Sequence, residues 1–262
     1  MEQAKDFLDE SEALYECLAE LHDKNFERPT LFKNWSINDI LVHLHFWNKG
    51  ADLALQNSEA FIAMFEKVYA DMKTGNLRQH ENSKIPERGK ALLNLWSEYY
   101  RDMGKRWQEI DPKTRVKWVG PDMSARTSIS ARQMETWAHG QAIFDLLSLE
   151  RQDTDRIRNI VMLGVNAFGW THKVHGLDVP EQMPHLKLNA PSGEVWEFGE
   201  AQNEETISGS AVEFAQVVTQ TRNILDTQLA VKGAVAKQWM EHAQCFAGAA
   251  ETPPAPGLRR KA

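Results

Sequence analysis

The run Trp35-Ser36-Ile37-Asn38-Asp39-Ile40-Leu41-Val42-His43-Leu44 carries a strong helix-start signal. Ser36 stands where an N-cap is wanted, and Asp39, three residues on, can bond back to the cap's own N–H, a variant of the capping box. The helix it opens carries Ile37, Ile40, Leu41, Leu44, Trp47 and Ala51 on one stripe. Outward from this helix the same period recurs. Phe7, Leu14, Leu18 and Leu21 mark a helix before it, and Phe61, Met64, Phe65, Val68 and Met72 one after it. Residues 74–86 are polar and contain Gly75 and Pro86, so they read as a loop. Leu92, Leu93, Trp96, Tyr99, Tyr100, Met103 and Trp107 build a further helix. A long connection from Asp111 to about Ser128, with Pro112, Gly120 and Pro121, leads to a helix capped by Ser128 or Ser130 and running to about Leu147. One more follows from about Asp153, with Ile157, Ile160, Val161, Val165 and Phe168. Amphipathic helices joined by mostly short loops predict a bundle.

The pattern changes after His175-Gly176-Leu177-Asp178-Val179-Pro180. Residues 185–190 alternate, Pro191-Ser192-Gly193 supplies a turn, and Val195-Trp196-Glu197-Phe198 alternates again, which predicts a hairpin. Residues 205–208 can add a strand, as can 229–231. Ala211, Phe214, Val217 and Val218 have helical spacing, as do Trp239, Met240, Ala243 and Phe246. The expected fold is therefore mainly α: a helical bundle over 1–178, a small α+β unit over 179–250, and a flexible, proline-rich tail over 251–262.

The 262 residues include 30 basic and 37 acidic side chains, a net charge of −7, and are 42% apolar, which suits a globular chain rather than a disordered one. The acidic balance argues against nucleic acid as a partner, since phosphate-binding faces show clustered Lys and Arg. No run approaches the roughly 18 apolar residues of a membrane span, and the N-terminus shows no secretory signal pattern. Cys17 and Cys245 are isolated, so neither a disulfide framework nor a cysteine zinc knuckle is expected; both read as small buried side chains of a cytoplasmic protein. Dinucleotide, P-loop, H-E-x-x-H and G-x-S-x-G motifs are all missing from the sequence.

What remains is a set of polar residues placed oddly for a bundle. The helix over 130–147 has apolar side chains nearly all round, yet carries Glu135 and His139 four residues apart, on one face. A buried carboxylate needs a partner or a cation. The pair could share a divalent metal with a third ligand from a facing helix, and His43 is the natural third candidate, whereas His45 points further out. A hydrogen-bonded or solvent-facing Glu135–His139 pair would show the same spacing. Trp47 and Trp137, beside these positions, read as core packing, and His172 and His175 as ordinary surface or core residues.

Residues 35–44 resemble the W-[ST]-x-x-D-x-x-x-H-L signature of the mycothiol-dependent maleylpyruvate isomerase N-terminal domain, part of the wider DinB-like superfamily of metal-binding bundles. Arg132-Gln133-Met134-Glu135-Thr136-Trp137-Ala138-His139-Gly140 resembles its second signature, a helix carrying E-x-x-x-H. The loop 120–124, the run 134–141 and Val217-Val218-Thr219-Gln220-x-Arg222 are similar to one subgroup of the family. The C-terminal part resembles the small sterol-carrier-protein-like domain that accompanies the bundle. The resemblance implies that His43, Glu135 and His139 bind a divalent ion, usually zinc. It also implies a low-molecular-weight thiol, mycothiol or glutathione, as an external cofactor.

One carboxylate and two neutral imidazoles leave a divalent ion with a residual charge of about +1, which favours an anionic fourth ligand. A thiol bound there loses its proton readily. The expected activity is transfer or addition of that thiol to a small electrophilic substrate, of the thiol-dependent isomerase or S-transferase type. Arg222 is the candidate to hold a substrate carboxylate, by bidentate pairing; a surface arginine at a helix end is the competing reading. One rival reading keeps the metal and changes the nucleophile, a hydrolase or hydratase using metal-activated water; another is a noncatalytic metal- or ligand-binding protein whose second domain holds an apolar molecule.

Overall fold

The start signal at 36–39 forms as the sequence predicts. Ser36 Oγ accepts from the Asp39 backbone N–H at 3.1 Å while Asp39 Oδ2 accepts from the Ser36 N–H at 2.9 Å. The structure, a computed structural model, describes residues 1–118 and 122–259. Gly120 and Pro121 of the long connection, and the last three residues of the tail, lie outside the described residues. The chain divides into two compact units, Met1–Leu146 and Leu147–Ala262.

The first unit is helical. It contains α1 (Glu2–Ala19), α2 (Ile37–Gln56), α3 (Ser58–Lys73), α4 (Leu77–Lys84), α5 (Gly89–Gln108) and α6 (Ala125–Leu147), with the two-residue strands β1 (Arg115–Val116) and β2 (Met123–Ser124) between α5 and α6. Helix α5 packs on α1 and α2, and α2 also packs on α3 and α4. The predicted stripes meet in the core: Phe7, Leu14 and Leu18, then Ile37, Ile40, Leu41 and Leu44, then Leu92, Trp96, Tyr100 and Trp107 are all buried. Asp52 stitches α2 to α5, accepting from Tyr99 Oη at 2.7 Å, Trp107 Nε1 at 2.6 Å and Arg106 Nη2 at 2.5 Å.

Helix α4 replaces the predicted loop over 74–86. Its sequence, LRQHENSK, has no apolar stripe, and polar bonds to its surroundings hold it. Asn82 Nδ2 donates to Asp39 Oδ1 at 2.8 Å, and Arg88 Nη2 donates to Asn82 Oδ1 at 2.6 Å. The carboxylate that caps α2 therefore also anchors α4. Helix α6 starts earlier than predicted, because Ser124 rather than Ser128 or Ser130 caps it: Ser124 Oγ accepts from the Thr127 N–H at 3.1 Å. His45 is also placed differently from expectation, buried on α2 with its ring edge-on to Tyr99 at 5.1 Å.

The second unit begins at residue 147, not near 178, so the last helix expected in the bundle belongs to it. The predicted helix through Phe168 is broken at Ala167 into α7 (Arg158–Asn166) and α8 (Phe168–Val174). They are followed by β3 (His185–Asn189), β4 (Val195–Phe198), β5 (Thr206–Ser210), α9 (Ala211–Val218), β6 (Ala230–Lys232) and α10 (Ala234–His242). Strands β3 and β4 form the predicted hairpin, with Leu188 opposite Trp196, and β5 lies parallel to β3 in the order β4-β3-β5-β6. Leu186, Leu188, Trp196 and Ile207 are buried, while α9 packs on α7 and the sheet. Helix α10 stops before Ala243, so Phe246 lies outside it. Cys17 and Cys245 are half-buried rather than buried. The tail is tied down as far as Arg259: Asn223 Nδ2 donates to the Pro254 carbonyl at 2.8 Å, and Arg259 Nη1 to the Gln220 carbonyl at 2.8 Å. Mainly α with a small α+β unit is the fold class.

Gly164 on α7 lets α9 approach. A Cβ there would lie 2.7 Å and 3.0 Å from the two methyls of Val218 and 3.1 Å from the Phe214 ring. Val218 is β-branched and its rotamer is stiff. Gly164→Ala is therefore expected to destabilise the protein by about 1–3 kcal/mol, overriding the helix-propensity gain of up to about 1 kcal/mol. Urea unfolding would show this; an unchanged or raised midpoint would mean that α7 and α9 are not locked in this contact.

Candidate metal centre

Helix α2 brings His43 to the inner face of the bundle, and α6 brings Glu135 and His139 to the same place, one turn apart. His139 Nε2 lies 3.1 Å and His43 Nε2 3.3 Å from Glu135 Oε2. The three ligand atoms all lie within 4.8 Å of one another. Two imidazole nitrogens and one carboxylate oxygen around one point form a donor set suited to a divalent transition metal.

A fourth residue completes the arrangement. Glu81, the one buried residue of α4, accepts from His43 Nδ1 at 2.9 Å and from Trp47 Nε1 at 2.7 Å. With Nδ1–H committed to Glu81, the bonding assigns Nε2 as the nitrogen facing the cluster. Carboxylate support of this kind orients a ligand and raises its basicity. Trp47 is thus more than packing, because its indole N–H fixes the carboxylate that fixes His43. Trp137 is fully buried, as expected of a core residue.

Aromatic walls come from the turn before α2. The Trp35 ring stacks parallel to His139 at 5.8 Å and lies edge-on to His43 at 5.3 Å, while Phe32 lies edge-on to His139 at 4.9 Å. Between them Lys33 and Asn34 both hold left-handed backbone, φ 49° and 55°. Two consecutive non-glycine residues there store strain, which the turn accepts while holding both rings on the cluster. Nothing in the sequence assigned Phe32 or Trp35 this place, although Trp35 belongs to the first signature.

The charges are strongly coupled. Burial alone would lower the His43 pKa, but the Glu81 and Glu135 carboxylates outweigh it and lift it from 6.5 to about 9. Burial would raise Glu135, yet hydrogen bonds from His139 and His43 and the charge of Arg132 hold it well below the ordinary carboxylate range. His139 is lowered by burial and by the His43 charge, against its bond to Glu135. The buried His45, beside Lys49, is pushed down to about 4 by desolvation and that neighbouring charge.

Arg222 belongs to the second unit. It follows α9 and lines a cavity of about 170 Å³ with Val217, Ile224, Met240, Glu241 and Pro253. One of its nitrogens, Nη1, donates to the Thr221 carbonyl at 2.9 Å.

A helical bundle with a part-buried His/Glu cluster, followed by a small α+β unit, is a defined class of architecture, and comparison with known proteins gives it a family. The mycothiol maleylpyruvate isomerase N-terminal domain profile matches residues 7–144. Two uncharacterized proteins from two strains of Mycobacterium tuberculosis are each 30% identical to the chain over 239 residues, 91% of this chain and 93% of theirs. The crystal structure of the mycothiol-dependent maleylpyruvate isomerase superposes with a TM-score of 0.50 at 18% identity, covering 82% of this chain and 87% of that chain. A histidine-to-alanine mutant of that isomerase gives 0.51 at 16% identity with the same coverage. The chain belongs to the mycothiol maleylpyruvate isomerase N-terminal domain family.

Glu81→Gln keeps the shape but weakens the hold on His43 Nδ1, and is expected to lower zinc affinity by about 10- to 100-fold. The same carboxylate sets a pH dependence in the metal-free protein. The folded-state pKa of His43 is raised, so its contribution to stability is full below the ordinary 6.5 and is lost as pH rises through about 9. Thermal unfolding with chelator from pH 6 to 10 should show wild type losing stability over that range faster than Glu81→Gln. Parallel pH profiles would show that Glu81 does not carry this coupling.

Proposed function

We propose that the chain is a divalent-metal-dependent enzyme that activates a low-molecular-weight thiol, mycothiol or glutathione, for addition or transfer to a small electrophilic substrate in the cytoplasm. The isomerase or S-transferase type of reaction is the one meant. The observation that carries the reading is the convergence of His43 Nε2, His139 Nε2 and Glu135 Oε2, with His43 fixed from behind by Glu81. Zinc is the ion the family resemblance implies, and it is one of several divalent metals that this donor set suits. Bound there, it would act as a Lewis acid that favours the thiolate over the thiol.

The protein's own groups supply the rest. Glu135 and the imidazoles hold the ion, Glu81 fixes the direction of His43, and Phe32 and Trp35 keep the cluster apolar on one side and limit the access of water. Among the described residues no cysteine joins the cluster; Cys17 Sγ donates to the Ala13 carbonyl at 3.3 Å within α1. This supports an external thiol. In an isomerisation the thiolate sulfur adds to an activated double bond, the resulting single bond rotates, and the sulfur leaves as the double bond re-forms. The thiol is regenerated and the geometry of the substrate is changed. In this reading Arg222 holds a substrate carboxylate.

Zinc content and thiol titration test the proposal together. Wild type purified without chelator should hold about one zinc per chain, and His43→Ala and Glu135→Ala should hold far less. Near-stoichiometric zinc in both variants would show that the ligand set is wrong. Calorimetry of the zinc-loaded protein should detect binding of mycothiol or glutathione, lost in the metal-free protein. Zinc without binding of any small thiol would instead favour hydrolysis by activated water or a carrier role. For Arg222→Ala, a rise in substrate KM of about tenfold or more is expected from a lost charge-assisted pair; an unchanged KM would remove Arg222 from the site.

A further inference from the structure

A second feature of the first unit lies one turn along α6 from the cluster. Arg132 is 3% exposed and is three residues before Glu135, about 4.5 Å along the helix axis at the usual rise. Its Nε donates to Oδ1 of Asn48, a fully buried residue of α2 five positions past His43. The pairs step in opposite senses along the two helices: His43 faces 135 and 139, and Asn48 faces 132. The Arg132–Asn48 contact therefore continues the seam that holds the ligand cluster.

The seam has spare donors. Arg132 Nη2 and Asn48 Nδ2 are buried and have no hydrogen-bond partner among the described residues, and the same holds for Ser128 Oγ, one turn before Arg132 on the same face of α6. Two of these three groups can only donate, and one of them carries a positive charge. Glu135 and Glu81 act on Arg132 through space, but neither forms an ion pair with it among the described residues. Buried donors are ordinarily satisfied, and a guanidinium beside an amide N–H₂ is complementary to a carboxylate.

We propose that Arg132 and Asn48 form an anion recess that takes a carboxylate of the small molecule reacting at the neighbouring cluster. The inference rests on the cluster being the reaction centre and adds a binding residue from within the same unit. Ser128 is placed to add a third hydrogen bond. In this arrangement the electrophilic end of the molecule meets the cluster while its acid group lies along the seam toward Asn48.

The probes are maleate, its neutral dimethyl ester and glutathione, each titrated calorimetrically into the zinc-loaded protein, with zinc titrated separately into the metal-free protein. Wild type should bind maleate and discriminate against the ester. Arg132→Met, which keeps bulk and removes charge, should weaken maleate at least tenfold while zinc affinity stays within about threefold. Loss confined to maleate assigns the recess to the substrate, and loss confined to glutathione assigns it to the thiol; either supports the recess. Asn48→Asp is the second variant, because it places a carboxylate beside Arg132. It should raise the unfolding temperature and weaken the same probe at least tenfold. Zinc binding without maleate or glutathione binding in wild type would overturn the recess while leaving the metal centre intact. Unchanged affinity for the bound probe in either variant overturns it too, as does an Arg132→Met protein that loses zinc together with the probe. Failure of wild type to bind zinc would instead fall on the proposed function.

Discussion

Glu81 sits at the centre of the bundle's polar interior, and the candidate site depends on how its charge is spent. A fully buried carboxylate is costly unless its oxygens are occupied. Here Trp47 Nε1 and His43 Nδ1 occupy them, both from α2 and one turn apart. The two bonds fix the ring plane of His43 and turn its far nitrogen toward α6. Without them, a histidine on a helix face has free rotamers and no reason to meet residues 135 and 139. The buried carboxylate and its neighbours thus hold the cluster in shape within the bundle itself, the preorganisation that a metal or a reacting molecule needs.

That dependence explains what the sequence could and could not reveal. The apolar stripes, the capping box at Ser36 and the hairpin at 185–198 are periodic or local signals, and they formed. The E-x-x-x-H pair and His43 were legible as residue types with a spacing, sharpened by the family resemblance. Glu81 was not, because α4 has no hydrophobic period and is held instead through its own Asn82, which bonds Asp39 from 43 residues away and accepts from Arg88 just beyond the helix. Once α4 is read as a loop, its central carboxylate has no address. Phe32 and Trp35 were lost for a different reason. Their placement depends on two left-handed residues in succession, Lys33 and Asn34, which ordinary turn rules assign to glycine.

The unit boundary shows the same limit in another form. Helices α7 and α8 carry the 3.6-residue period of the bundle, so periodicity groups them with it. Their partner is decided by surface shape: Gly164 lets α7 approach Val218 and Phe214 of α9, and that fit binds α7 to the sheet-containing unit. Period tells a helix which face to bury, but it does not say against what.

The same buried charges bear on what the centre would attract. Glu81 adds a negative charge that the three ligands alone did not include, and by itself it would cancel the residual +1 expected of a divalent ion held by Glu135 and two neutral imidazoles. Arg132, buried within electrostatic reach of both carboxylates, offsets it. In the metal-free protein the protonated His43 and Arg132 balance Glu81 and Glu135, and exchange of the His43 proton for a divalent ion would bring these groups and the ion to a net charge of about +1. In a low-dielectric interior that balance would favour a thiolate or a carboxylate over a neutral ligand. Arg132 therefore has two consequences from one position. Its charge would keep an anionic ligand favourable at a metal-loaded cluster, and its unpaired Nη2, with Asn48 Nδ2, is the feature on which the proposed carboxylate contact rests.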